Sequence, residues 1–252
     1  MRSPALTSRA RAALAARLRE LVPPQRLHPG GAHALAAADA LVLGPDDLAW
    51  ALAHLRRGAP GELRPRADGA VPLHAAWSSS GLVAGVFAPR RDELPGLRLE
   101  LRLPIPHGGG TPNLDAAWDS ASGLVGVEGK LTEHLAPRRP RPWRPAYHRP
   151  AMRDALAAGW REAFGLLLDG RWSPRFLDAG QLVRHALSLA HDPGAELRYV
   201  FWEPRGEHPE LREHRAELDR LLALVGEAPP RLRATTWALA GPLAERYDVE
   251  VR

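Results

Sequence analysis

The apolar positions along the chain change period more than once. Over residues 1–58 they recur at helical spacing. Ser8 stands as a cap ahead of Leu14, Leu18 and Leu21, an alanine-rich stretch runs from His33 to Leu43, and "PDDLAWALAHLRRG" opens acidic and closes basic, as a helix dipole favours. Two or three helices are predicted there. "GAPGELRPRADGAVP" then interrupts the pattern with turn residues. Beyond it the period shortens. "GLVAGVFAP" at 81–89 is a short apolar run, and "LRLELRLPI" at 97–105 alternates leucines at 97, 99, 101 and 103. Two strands are predicted, the second with one buried and one wet face. "NLDAAW" and "GLVGVEGKL" then flank the polar turn "DSASG", which predicts a β-hairpin.

"APRRPRPWRPAYHRP" is too proline-rich for a helix or a central strand and is expected to be an irregular loop. Helical spacing returns in "MRDALAAGWREAFGLLLDG" and "DAGQLVRHALSLAH", and "LRYVFWEP" has the continuous apolar character of a buried strand. "PELREHRAELDRLLALVGE" places Leu211, Leu218, Leu221, Leu222 and Val225 on one helix face, and "RLRATTWAL" supplies a last strand. No repeat of fixed period is present. The order of elements predicts an α/β (mixed α+β) fold, a single domain over residues 1–252 with a helical extension at 1–60 and a core at 70–252.

Composition narrows the chemistry. The chain has no cysteine, which excludes disulfides, thiolate nucleophiles and thiolate zinc sites. A formal charge of +5 over 252 residues points to a polyanionic partner, with nucleic acid first. No apolar stretch is long enough to span a bilayer and no secretory pattern opens the chain, so a cytoplasmic location and no membrane partner are expected. Arginine fills 33 of the 34 basic positions, leaving one lysine, Lys130 in "GVEGKLTEHL". Asparagine and isoleucine also occur once each, at Asn113 and Ile105, both near it in sequence.

On a strand, Glu128 and Lys130 share a face, with Gly129 behind them. If the hairpin register sets Asp115 opposite or diagonal to Glu128, two carboxylates meet beside one ammonium. That set suits metal-assisted phosphodiester hydrolysis, because Mg²⁺ prefers oxygen ligands and is usually held by one or two carboxylates plus substrate phosphate. A compact ammonium serves there where a planar guanidinium would not. The alternative is an exposed ion pair at a strand end.

"TPNLDAAWDSASGLVGVEGKLTEHL" resembles the motif of the restriction endonuclease-like, or PD-(D/E)XK, nucleases, and it is most similar to a group of bacterial sequences of restriction endonuclease type. The likeness runs from about Ser78 to the C-terminal helix. It implies a central mixed sheet flanked by helices, with the catalytic core at 70–252. It further implies Asp115 and Glu128 as ligands of Mg²⁺ (or Mn²⁺), the Gly129 carbonyl as a further ligand, and Lys130 as the base that positions water. The expected activity is a Mg²⁺-dependent deoxyribonuclease of restriction or defence type, working as a homodimer and with defence-system partner proteins. The rival is a non-catalytic nucleic-acid-binding or regulatory protein that keeps the fold. Leu114 stands where the family has proline, and Gly129 is smaller than usual between the Glu and the Lys.

Asn113 is an auxiliary candidate. Gln181 has two readings, a capping box with Asp178 or a residue facing the metal site. In the proline-rich loop, Arg138, Arg139, Arg141, Trp143, Arg144, Tyr147 and Arg149 are the candidates for gripping DNA phosphates and stacking on bases. Glu133 and His134, and the region of His208 and His214, read as solvated surface. "GGGTP" lacks a P-loop lysine and "SSSG" lacks a nucleophile elbow, so neither a phosphate loop nor a serine hydrolase is expected.

Overall fold

A computed structural model describes residues 5–58, 60–139 and 141–251. Five strands form one mixed sheet in the order β1 (Arg98–Arg102), β2 (Asn113–Asp119), β3 (Leu124–Lys130), β4 (Glu196–Phe201) and β5 (Arg231–Thr236). The first three run as an antiparallel meander, and β4 and β5 add in parallel to β3 and to each other. Parallel neighbours need helical crossovers. These are α5 (Pro150–Asp154), α6 (Ala158–Leu168) and α7 (Ala179–Leu189) between β3 and β4, and α8 (Pro209–Val225) between β4 and β5. The fold is the predicted mixed α/β class, an open sheet flanked by helices.

Alternation along the strands feeds two cores. Tyr199, Phe201 and Leu232 pack with α6, α7 and α8 on one face. Val125, Val127 and Val200 pack on the other with α2 (Ala37–Leu41), α3 (Pro45–Gly58) and α4 (Ser79–Phe87). A third core joins α1 (Leu6–Leu21) to α9 (Gly241–Tyr247) through Leu14, Leu18 and Tyr247, and also takes in Leu131 and Trp202. The helices of the first 58 residues therefore share cores with the sheet.

The hairpin forms on the predicted turn, with the Ser120 and Gly123 main chains bonded to each other at 3.0 and 3.3 Å. Gly123 sits at φ 152°, and a Cβ there would come within 2.6 Å of the Gly194 carbonyl carbon and 2.7 Å of Asp192 Oδ1. Only glycine lets the turn lie against the loop that follows α7.

Several elements differ from the sequence-based expectation. Residues 81–89 are not a strand but most of α4, capped by Ser78, whose Oγ accepts the Gly81 N–H at 3.0 Å. The segment is apolar all round because it is almost wholly buried, a case in which periodicity cannot tell a strand from a helix. Ser8 lies inside the first turn of α1, not ahead of it. The alanine-rich stretch is helical only over α2, and the helix expected from residue 152 onward is divided between α5 and α6.

Strand β1 departs further, having no simple buried and wet face. Glu100 is left-handed at φ 53°, and the pairing with β2 skips the Glu100 and Asp115 positions. The inward alternation changes phase there on both strands. Leu99 and Ala116 belong to the α4 side, whereas Leu101 and Leu114 pack on the α6–α8 side. Asp115 thus lies at an interruption of regular pairing, beside β3.

Candidate active site

Glu128 and Lys130 pair in register with Tyr199 and Phe201 of β4, whose rings belong to the core under α7 and α8. Both side chains are buried, at 1% and 9% exposure. An unpaired charge in that position would cost several kcal/mol, so each must be compensated locally. Lys130 Nζ donates to Glu128 Oε1 and, at 3.0 Å, to Gln181 Oε1. Glu128 Oε2 accepts from His185 Nε2 at 2.7 Å, and since an ionised carboxylate only accepts, Nε2 carries the proton. Gln181 and His185 stand four apart on α7, one helical turn, so a single helix face holds the lysine and the glutamate of β3 together.

The first turn of α7 is set by Asp178, whose Oδ1 accepts the Gln181 N–H at 2.9 Å. The Asp178 half of the capping box is therefore formed, while the Gln181 side chain is directed to Lys130. The fixed cap places Gln181 within reach of Lys130.

Asp115 approaches from the neighbouring strand. Its Oδ2 accepts the Gly129 N–H at 2.7 Å, so the structure brings it to the backbone between Glu128 and Lys130 and not onto the ammonium itself. The glycine is demanded by Val83 and Trp237, not by Asp115. A Cβ on Gly129 would sit 2.7 Å from Val83 Cγ2, 2.9 Å from Trp237 Cζ2 and 3.5 Å from Asp115 Oδ2. Gly129→Ala is accordingly expected to lower stability by about 1–3 kcal/mol through overpacking, read as a shift in the urea midpoint. A midpoint unchanged from wild type would show that this contact is not tight.

Asn113 braces the third carboxylate of the region. Its Nδ2 donates to Glu100 Oε2 at 3.3 Å and to the Gly58 carbonyl at 3.2 Å, and Ser80 Oγ donates to Glu100 Oε1 at 3.1 Å. Glu133 turns back on the strand end and accepts the N–H groups of Leu131 and Thr132, both at 2.9 Å. The end of β3 is thereby fixed on the side of the Lys130 backbone, whose carbonyl also accepts from Trp202 N at 2.9 Å and Trp237 Nε1 at 3.2 Å.

The charges are strongly interdependent. Burial would raise the Glu128 carboxyl, but Lys130 and the His185 hydrogen bond outweigh it and hold it at about 2. Burial would lower the Lys130 ammonium, but Glu128, Asp115 and Glu133 outweigh it and hold it above the usual lysine range. Lys130 is therefore a fixed cation at neutral pH, suited to donating hydrogen bonds and stabilising negative charge rather than to accepting a proton. Burial, then Glu128 and Glu100, push Asp115 well above the usual carboxylate range. Burial also raises Glu100 to about 7, with Glu62 and Glu128 adding to the effect. One lysine does not neutralise this group of acids. Among the described residues, no three histidine, aspartate or glutamate side chains converge as a ready-made metal cage.

The proline-rich loop divides. Tyr147 is buried, its hydroxyl donating to the Gly109 carbonyl, so it is a core residue and not a stacking platform. Trp143 packs at 5.0 Å on Tyr147 and at 5.2 Å on Phe164, with the Arg184 guanidinium over it at 5.6 Å. Arg149 Nη1 donates to the His107 carbonyl at 3.1 Å, and Arg144 is exposed nearby. Arg138, Arg139 and Arg141 instead line a groove against the start of α7, where Arg138 pairs with Asp178 at 2.5 Å.

Three residues were not picked out as site or core groups from sequence. His185 carried a signal, four residues after Gln181 on an apolar helix. His134 and His214 are buried, at 1% and 0% exposure, not solvated. Their rings lie 4.8 Å apart beside Phe201, and His214 Nε2 is 2.9 Å from the Tyr199 hydroxyl.

Among the described residues no helix is long and apolar enough to cross a membrane. Compared with protein-family models, curated proteins and solved structures, the chain matches none, so the chemistry of this site rests on the arrangement of Asp115, Glu128, Lys130, Gln181 and His185.

Proposed function

We infer that the chain is a divalent-cation-dependent nuclease that hydrolyses DNA phosphodiester bonds, of the PD-(D/E)XK type its hairpin resembles. The observation that carries the reading is the setting of its single lysine. Lys130 is buried as a cation between Glu128 and Gln181, with Asp115 on the adjacent strand. A surface ion pair, the bland alternative, would be solvated on both partners.

The donor set fits Mg²⁺. Asp115 and Glu128 offer carboxylate oxygens from neighbouring strands, and each oxygen keeps a second lone pair beyond the hydrogen bond it accepts here. Burial raises Asp115 first, and Glu128 and Glu100 add to it; the negative potential of those carboxylates is what a dication relieves. When bound, Mg²⁺ polarises a phosphate oxygen and makes its water more acidic.

The protein's own contribution is placement. Gln181 and His185 fix the two ends of the Lys130–Glu128 pair, so neither side chain must reorganise when charge develops on the phosphate. The Lys130 ammonium, with one donor left, orients water and stabilises that charge. Asp115 is half-buried on the neighbouring strand. Two-strand cutting would use a homodimer, and a restriction or defence setting, with its partner proteins, follows from the same resemblance.

The test is cleavage of supercoiled plasmid with and without Mg²⁺ or Mn²⁺, in wild type and in Asp115→Ala and Glu128→Ala. Divalent-dependent nicking lost in both variants is expected, and full cutting by either variant would remove the site assignment. A second reading, a non-catalytic DNA-binding protein, is favoured by one observation: both Glu128 oxygens are already engaged, by Lys130 and His185. It predicts salt-sensitive binding with no turnover under any divalent condition.

A further inference from the structure

One basic concavity lies outside the Lys130 centre. It is formed by the proline-rich loop, the segment at 170–177 and the first turn of α7, and has a cavity volume of about 130 Å³. Its lining carries four guanidinium groups, those of Arg138, Arg139, Arg141 and Arg184, against one carboxylate, Asp178. Asp178 is shared by Arg138 at 2.5 Å and Arg184 at 3.7 Å. Arg139 and Arg141 are left exposed at the rim.

The walls are partly apolar. Trp143, Trp172, Leu167 and Leu177 contribute rings and aliphatic surface beneath the arginines. A duplex presents mainly phosphates to a protein surface and has little use for an apolar recess. An unpaired nucleotide offers both parts, a phosphate for guanidinium groups and a base for an apolar wall.

The recess is also preformed. Both carboxylate oxygens of Glu217 on α8 accept main-chain N–H groups of the far wall, from Arg175 at 2.6 Å, Phe176 at 2.9 Å and Leu177 at 2.8 Å. Arg138 N donates to the Arg175 carbonyl at 2.5 Å, joining the loop to that wall. Rigid walls reduce the ordering cost of binding.

We propose that this groove binds an unpaired nucleotide of a nucleic-acid strand, its base against the partly exposed Trp143 and Leu167 and its phosphates on Arg139 and Arg141. Gly180 in the groove and Gln181 on Lys130 are successive residues of α7, so a strand held there leads toward the candidate centre within one helical turn. Substrates with an unpaired segment beside the cut, such as overhangs, flaps or opened duplex, are then preferred over intact duplex. The inference deepens the nuclease reading and rests on it for its meaning in cleavage, but its test does not require turnover.

The test is fluorescence anisotropy of a labelled oligothymidylate in EDTA, with blunt duplex and thymidine monophosphate as competitors. The full chain should prefer the oligothymidylate. Arg139→Ala/Arg141→Ala should weaken it by about tenfold and flatten its salt dependence. Gly180→Leu fills the groove without changing charge. Its Cβ would meet Trp143 and Arg184 only at 3.5 Å, so the fold is expected to accept it. It too should weaken binding, while melting no lower than wild type. Equal or tighter binding of blunt duplex, competition by the monophosphate as strong as by the oligonucleotide, or a folded Gly180→Leu with unchanged affinity would each overturn the proposal. Strand binding without any divalent-dependent cutting removes the nuclease reading alone. Cutting of duplex without strand preference removes the groove assignment alone.

Discussion

Lys130→Arg is expected to lose divalent-dependent plasmid cleavage by on the order of 10²–10³-fold, as when a pre-placed donor to developing charge is removed. The charge is kept, so the loss must come from shape. Lys130 Nζ reaches Glu128 Oε1 and Gln181 Oε1 in a buried space. A guanidinium is larger and planar and cannot direct its donors to both acceptors and to a water in the same volume. Lys130→Ala should lose as much activity and, in addition, stability, because it leaves Glu128 buried with only His185 as partner. Plasmid nicking together with urea unfolding separates the two. An arginine variant that folds like wild type and still cuts at full rate would mean that the lysine is structural.

The second large effect concerns the buried histidines. Burial holds His134 at about 3, with Lys130 adding to the effect, and burial and the neighbouring His134 and Arg215 hold His214 at about 3. An unfolded histidine titrates near 6.5. Between those values the unfolded chain binds a proton at each position that the folded chain does not, so stability falls as pH falls through that window. Glu100 and Asp115 act in the opposite sense. Their raised values mean that the folded chain holds protons the unfolded chain has released, and this partly offsets the histidines in the total. The difference between two proteins cancels the offset. His134→Phe, which keeps an aromatic ring beside Phe201 and His214, is expected to gain on wild type by about 1.4 kcal/mol per pH unit below 6.5, or about 3 kcal/mol at pH 4.5. Urea midpoints at pH 7.5, 6 and 4.5 measure it. Parallel curves would mean that His134 titrates normally.

The hairpin was legible because turn residues and two apolar runs are local signals, and the pair of charges at its end followed from the two-residue period. Three other features were not legible, each for a physical reason. Residues 81–88 are apolar and almost wholly buried, so they carried no helical periodicity, although Ser78 was a usable cap. In "LRLELRL" the regular leucines concealed the change of face at Glu100, because a left-handed residue leaves no mark in an alternating pattern. His134 and His214 fall 80 residues apart in sequence and meet only through the packing of α8 against the turn after β3. The groups of α7 that hold the Lys130–Glu128 pair were half visible: Gln181 stood out, and the four-residue spacing of His185 from it was a signal that gains meaning only once the helix is placed.

The change of phase at Glu100 also bears on how the molecule avoids sticking to copies of itself. β1 is an outer strand, and an outer strand with free main-chain groups invites another chain to add to the sheet. Here α3 closes that route. His54 Nδ1 accepts the Leu99 N–H at 3.4 Å, and Gly58 lies so near Glu100 that a Cβ would stand 2.3 Å from its carbonyl oxygen. The left-handed turn of the chain adds a second obstacle, since a straight incoming strand cannot follow it. β5 is the other outer strand, lined by the exposed side chains of Arg231 and Arg233, the latter paired with Glu227 at 3.0 Å. By these two obstacles the β1 edge is closed to strand addition by a second copy.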